Sequence, residues 1–198
     1  MSMKTDEIER LHKKYAPNNT VFELVYGHCR IVCEIALWAA DNISTDTQVN
    51  TDLLQSAALL HDIGTYVFFD DNGKGLNDRL YPQHAILGAK ILADEGVDKS
   101  ITDLIETHIL LGLSKHEIVE KPWPLPARDY LPSTIEGELL CYADRFHSKH
   151  PTFNSYDTFL AKLKESLPQQ AAKFEAWSKR FGIPDIEALA KKYNQPVR

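Results

Sequence analysis

The sequence is poor in the residues that staple, anchor or charge a chain in one direction. Its 198 residues hold three cysteines, Cys29, Cys33 and Cys141. An odd number, all among apolar neighbours and none in a CxxC pair, makes neither a disulfide framework nor a thiolate metal knuckle. They are expected to be reduced core residues. No run of about 18 apolar residues is present to cross a bilayer, and the opening MSMKTDEIER lacks the apolar stretch of a secretory signal. A cytoplasmic protein with no membrane partner is the expectation. A basic surplus is missing too: the formal charge is -6, which argues against a nucleic-acid polymer as partner, because phosphate-backbone affinity rests on clustered Lys and Arg. A small anionic ligand stays compatible, since bound divalent cations reverse the field locally.

Strand signals are also scarce, as no stretch sustains two-residue alternation between hairpin turns. Helix signals recur from end to end, and the fold class is expected to be all-α, a compact helical bundle with additional C-terminal helices. With 43% hydrophobic residues, one domain over 1–198 can bury a sizeable core. That core is placed at about 20–150, with 151–198 as a helical extension packed on it. Thr5 can cap a first helix, and Thr20 with Glu23 makes a capping box for a second. A third helix is predicted from about Thr51 to Ile63, with Gly64 as its left-handed stop. Asp70 to Asp78 reads as a mobile loop, Pro82 opens a further helix, and Asp98, Ser114 with Glu117, and Ser133 with Glu136 mark later helix starts. The proline-rich stretch Lys121 to Pro132 should be irregular and packed by its aromatics.

Polar residues interrupt the apolar stripes of these helices at a few places. His28, His84 and His108 each lie where a stripe turns inward, as does Asp144. His61 and Asp62 occupy the end of the third helix in SAALLHDIGTY. An ionised Asp62 beside Leu59, Leu60 and Ile63 would cost several kcal/mol of desolvation on typical scales unless a cation sat against it. Imidazole and carboxylate donors suit one or two divalent transition-metal ions, Fe, Mn, Co, Ni or Zn. The competing reading for His84 and His108 is a core histidine satisfied by a backbone carbonyl. His12, His116, His147 and His150 stand among polar neighbours and read as surface residues, although His147, three residues past Asp144, shares its helix face. Arg145, Lys149, Arg79 and Lys115 are candidates for a substrate phosphate, with Arg145 preferred because it follows Asp144.

The ordered series H, HD, H, H, D resembles that of the HD superfamily, and the segments LLHDIG, YPQHAILGAKIL, ETHILLGL and LPARDYLPSTIEGELLCYADRF are similar to a bacterial and archaeal subgroup of hydrolases within it. The resemblance covers roughly residues 20 to 150. It implies that His28, His61 and Asp144 hold one metal ion, His84 and His108 a second, and Asp62 both, with Asp62 and His61 essential to turnover. Positions then stay open for water and substrate, as in a catalytic site. The implied activity is metal-dependent hydrolysis of a small phosphate ester, such as a nucleotide. Thr65 stands where cyclic-dinucleotide phosphodiesterases of the HD-GYP group carry a lysine, and the GYP element is missing, which turns the expectation away from that substrate. The same order also resembles the di-iron oxygenases of the superfamily, and a non-catalytic metal- or nucleotide-binding module is the third alternative.

Overall fold

The structure is a computed structural model that describes residues 3–44, 47–70, 72–73 and 79–198. Its helices are α1 (Thr5–Tyr15), α2 (Asn19–Asp41), α3 (Thr51–Leu60), α4 (His84–Asp94), α5 (Lys99–Glu106), α6 (Lys115–Glu120), α7 (Ile135–Ala143), α8 (Tyr156–Ser166), α9 (Pro168–Phe181) and α10 (Ile186–Tyr193). Single 3-10 segments cover Ile63–Phe68, Tyr81–Gln83 and Asp144–Phe146. The fold is all-α apart from one small hairpin, β1 (His147–Ser148) antiparallel to β2 (Thr152–Phe153). Among the described residues no helix is long and apolar enough to cross a membrane.

Several helix starts differ from the sequence expectation by a residue or two. Lys4, not Thr5, is the N-cap of α1, and Glu7 reaches back to its N–H. Asn18 rather than Thr20 caps α2, its Oδ1 accepting from Val21 N at 3.0 Å; asparagine competes at least as well as threonine for that position. Thr134 caps α7 in place of Ser133, which frees Glu136 to accept from Asn50 N at 2.7 Å and so tie α7 to the start of α3. Asp98 and the Ser114/Glu117 box cap α5 and α6 as expected. Lys121 to Pro132 is irregular, and Trp123, Leu125 and Tyr130 pack with Ile109, Leu113 and Ile118 in a small separate core. Of the expected Asp70–Asp78 loop, positions 71 and 74–78 lie outside the described residues.

The long helix α2 runs through the main core and packs on α1, α3 and α7. Val25, Cys29, Val32, Ala36 and Ala39 on it are fully buried, at about 1.5–3 kcal/mol for each larger aliphatic side chain removed from water. All three cysteines are free and buried. The third helix ends at Leu60, and His61 and Asp62 lie in the join to the 3-10 segment. Gly64 is therefore no left-handed stop; it sits inside that segment, pressed on the backbone of α4.

Two histidines expected at the surface are inside. His12 is fully buried: its Nε2 donates to Leu59 O at 2.8 Å and its Nδ1 accepts from the Tyr66 hydroxyl at 2.8 Å. Burial pushes its pKa down to about 4. A histidine bound neutral in the fold but free to protonate once unfolded contributes stability above its unfolded pKa of about 6.5, lost as pH falls toward the folded value. Melting curves should shift to lower temperature between about pH 6.5 and 4, with His12 contributing on the order of 3 kcal/mol of the loss. A His12→Gln protein should show a shallower acid limb, and an unchanged limb would contradict the assignment. His147, the second, lies at the candidate centre.

Candidate metal centre

Five helices meet where the polar residues interrupt the stripes. His28 comes from the middle of α2, His61 and Asp62 from the end of α3, His84 from the first residue of α4, and His108 from just beyond α5. Asp144 follows α7 directly, where the helix tightens into a 3-10 turn. All six side chains converge, and each is at most 8% exposed.

The two oxygens of Asp62 divide the cluster. Oδ2 lies 3.1 Å from His28 Nε2 and 3.3 Å from His61 Nε2; Asp144 Oδ1 closes this half at 3.0 Å from His28 Nε2 and 3.6 Å from His61 Nε2. Oδ1 faces the other half, 3.3 Å from His84 Nε2 and 3.7 Å from His108 Nε2. Those two imidazole nitrogens are 2.9 Å apart. The donor atoms of His28, His61 and Asp144, and likewise of Asp62, His84 and His108, all lie within 4.8 Å of one another. Cys29 Sγ, His61 and Asp62 form a third such group, a placement that the apolar surroundings of Cys29 in the sequence do not reveal.

Each imidazole is held from behind. The Nδ1 atoms of His61, His84 and His108 donate to the carbonyls of Ala58, Tyr81 and Ile105 at 2.7, 2.6 and 2.5 Å. This holds a hydrogen on each Nδ1 and makes Nε2 the atom turned toward Asp62. Backbone satisfaction, the competing reading of His84 and His108, is thus present at one nitrogen and leaves the other free to ligate.

Electrostatics agree with ligand duty. Burial first, and the Lys149 charge second, lower His28 to about 3. Burial also lowers His108 to about 4 and holds His84 well below the usual imidazole range. These three rings are neutral at physiological pH. His61 differs: burial works against its charge, but the adjoining Asp62 carboxylate outweighs it and raises the ring to about 10. A proton there must leave before the ring can ligate. Burial would raise Asp62, yet Lys149 and His61 outweigh it and hold the carboxyl well below its ordinary range.

Lys149 is the cation the sequence ranks below Arg145. Its Nζ is 2.5 Å from Asp62 Oδ2 and 5.0 Å from the centre of the Tyr81 ring, and Asp62 holds its pKa above the ordinary lysine value against the effect of burial. Arg145 donates to Asp144 Oδ2 and to Cys141 O. Arg79 and Lys115 are exposed. His147 is 5% exposed, stacked on His28 with ring centres 5.1 Å apart. The signal that could have found His147 is its place three residues past Asp144; Lys149 lies just beyond β1, in the turn of the hairpin. His116 and His150 are at the surface, as expected.

A cavity of about 340 Å³ opens beside the cluster, lined by Tyr81, His84, His108, Asp144, Arg145 and Lys149 among others. Asp62 Oδ2 has no well-directed hydrogen bond, and the charge set against it in this structure is the Lys149 ammonium. Nitrogen and carboxylate donors of this type fit Mn, Fe, Co, Ni or Zn.

A family model, the HD domain, matches residues 25–149, and the chain belongs to this family. An uncharacterized protein of Methanocaldococcus jannaschii is 34% identical over 127 residues, covering 64% of this chain and 68% of that one. Two tRNA (cytidine(56)-2'-O)-methyltransferases are also similar. That of Picrophilus torridus is 31% identical over 132 residues, 67% of this chain but 34% of the enzyme; that of Thermoplasma volcanium is 33% identical over 123 residues, 62% of this chain and 31% of the enzyme. The matched segment is therefore about a third of each methyltransferase. Among solved structures, the HD domain of the L. monocytogenes phosphodiesterase PgpH in complex with cyclic-di-AMP shares the fold over 97% of this chain and 99% of its own, with a TM-score of 0.53 and 20% identity.

Proposed function

We propose that the protein is a metal-dependent phosphohydrolase that cleaves a small phosphate ester, such as a nucleotide, in the cavity beside Asp62. The observation that carries the reading is the division of labour at Asp62, whose two oxygens face different histidine sets. His28, His61 and Asp144 would hold one divalent cation, His84 and His108 a second, and Asp62 both. Bound there, such ions supply Lewis acidity toward a phosphoryl oxygen and a water nucleophile at neutral pH.

The chain's own residues do the rest. His61, His84 and His108 direct Nε2 inward because their far nitrogens are engaged. Helices α2, α3 and α7 exclude water from the His28 half, while His84 and His108 line the cavity. Lys149 and Arg145, on the cavity wall, offer positive charge for the phosphate, the lysine as a point charge and the arginine as a fork. The same reading treats 1–198 as one HD domain of core about 20–150, with 151–198 packed on it. Contacts of α9 with α7 and of α8 with the 3-10 turn Asp144–Phe146 support that arrangement.

The test is turnover of a panel of phosphomonoesters, nucleotides and cyclic dinucleotides by chelator-stripped protein with Mn, Co, Ni, Zn or Fe restored singly. Phosphate-ester cleavage that needs the restored metal is the expected result. Substrate-dependent oxygen uptake with iron would support the oxygenase alternative, and binding without conversion across the panel would make the domain a regulatory module.

A further inference from the structure

Three of the inward histidines lean on a carbonyl three residues back in their own segment, but His28 does not. Its Nδ1 faces His147 Nδ1 at 2.8 Å, and His147 Nε2 faces the amide oxygen of Gln195 at 2.7 Å. We propose that Gln195, near the C-terminal end of the chain, is a positioning residue for the metal centre, acting through His147 to fix the tautomer of His28. The proposal rests on the reading of His28 as a ligand.

From the Gln195 oxygen the hydrogens along this chain follow one arrangement, which opposes the pull of the Asp62 and Asp144 oxygens at 3.1 and 3.0 Å from His28 Nε2. An amide oxygen only accepts, so His147 must carry its hydrogen on Nε2. A neutral ring then has a bare Nδ1, and both rings are buried, where a second proton is disfavoured. Two ring nitrogens facing at 2.8 Å share one hydrogen, which must therefore come from His28 Nδ1. His28 Nε2 is left bare toward Asp62 and Asp144, as a ligand requires. Reversing the donor at Gln195 would reverse every step and put a hydrogen on His28 Nε2, blocking ligation.

The tail is registered to do this. Asn194 takes a left-handed conformation at the end of α10, with φ 52°, and turns the chain back. Gln195 N donates to Ala190 O at 3.0 Å, and Phe153 exchanges bonds with Pro196 O and Arg198 N at 2.9 Å each. Phe153 also pairs with His147 across the hairpin. The segment bearing Gln195 is thus bonded to the hairpin that bears His147. Both Gln195 and this clamp lie beyond residues 25–149, the part that matches the family.

The experiment compares wild type, Gln195→Leu and Gln195→Glu, the last keeping an accepting oxygen. Nitrogen NMR of metal-free, 15N-labelled protein should find a smaller Nε2–H population on His28 in wild type and Gln195→Glu than in Gln195→Leu. Zn²⁺ affinity, from competition with a chromophoric chelator, should fall roughly 10–100-fold in Gln195→Leu, the usual effect of removing a group behind a ligand, and stay near wild type in Gln195→Glu. A purely structural tail contact would instead lower the melting temperature of both variants and leave the tautomer alone. A Gln195→Leu protein that keeps either the wild-type tautomer ratio or full Zn²⁺ affinity overturns the proposal. Failure of wild type to bind Zn²⁺ would count against the proposed function, while the tautomer, read without metal, still decides the role of Gln195.

Discussion

Asp62→Asn is expected to abolish hydrolysis and to lower bound metal from the wild-type stoichiometry to less than half of it. The substitution keeps shape and removes charge, so the loss can be traced to chemistry rather than to a void. Asp62 is the one side chain whose oxygens face both halves, Oδ2 beside His28 and His61 and Oδ1 beside His84 and His108. Losing a group that merely supports a ligand costs roughly 10–100-fold; losing the shared carboxylate should exceed that. Two local charges respond as well. His61 loses the neighbour that raises its pKa, and Lys149 loses the carboxylate 2.5 Å away. Breaking a buried pair by removing one partner typically costs about 3–5 kcal/mol, but the lysine side chain is 15% exposed at the cavity wall and can turn outward, so the metal-free fold should survive with unchanged helix content. Elemental analysis, phosphate release and circular dichroism test the three parts. Wild-type metal content with wild-type turnover would end the reading of Asp62 as the shared ligand.

Gly64→Ala should be the most damaging small substitution to the fold. The obstacle is space, not backbone angle, since Gly64 is not among the glycines of positive φ. A Cβ there would stand 2.1 Å from His84 O, 2.4 Å from Gly88 N and 2.9 Å from Gly88 Cα. All three are backbone atoms of α4, so no side-chain rotation gives relief, and the helix itself must move away. Overpacking in a core typically costs about 1–3 kcal/mol, occasionally more; a clash with backbone on this scale belongs at the top of that range. For a chain of this size that is a fall of roughly 6–12 °C in melting temperature. Gly88→Ala is the graded comparison, because its Cβ would lie 3.1 Å from Gly64 N, and it should cost less. Because His84 begins α4, Gly64→Ala should also weaken metal retention in the His84/His108 half, measurable as a drop in stoichiometry. A Gly64→Ala protein that melts with wild type would show that α4 is not seated on that glycine.

The amino-acid sequence alone determined the class of the fold and the chemical type of the centre. Three-residue and four-residue spacing of apolar positions needs no partner to be recognised as helical, and His28, His84, His108 and Asp144 stood out because they fall on stripes that are otherwise apolar. Caps were legible where one residue dominates, as at Asp98 and Ser114, and were misplaced where neighbours compete, as with Asn18 beside Thr20. Tertiary structure decided the rest, because periodicity tells which face turns inward and not what that face meets. It set the two oxygens of Asp62 toward different partners, buried His12 and His147 despite their polar neighbours in sequence, and brought Lys149 to Asp62. The bonds behind His28 join residues 119 and 48 positions apart. Contacts at that separation leave no mark on local spacing; they exist only once the helices have packed and the C-terminal segment has closed on the hairpin.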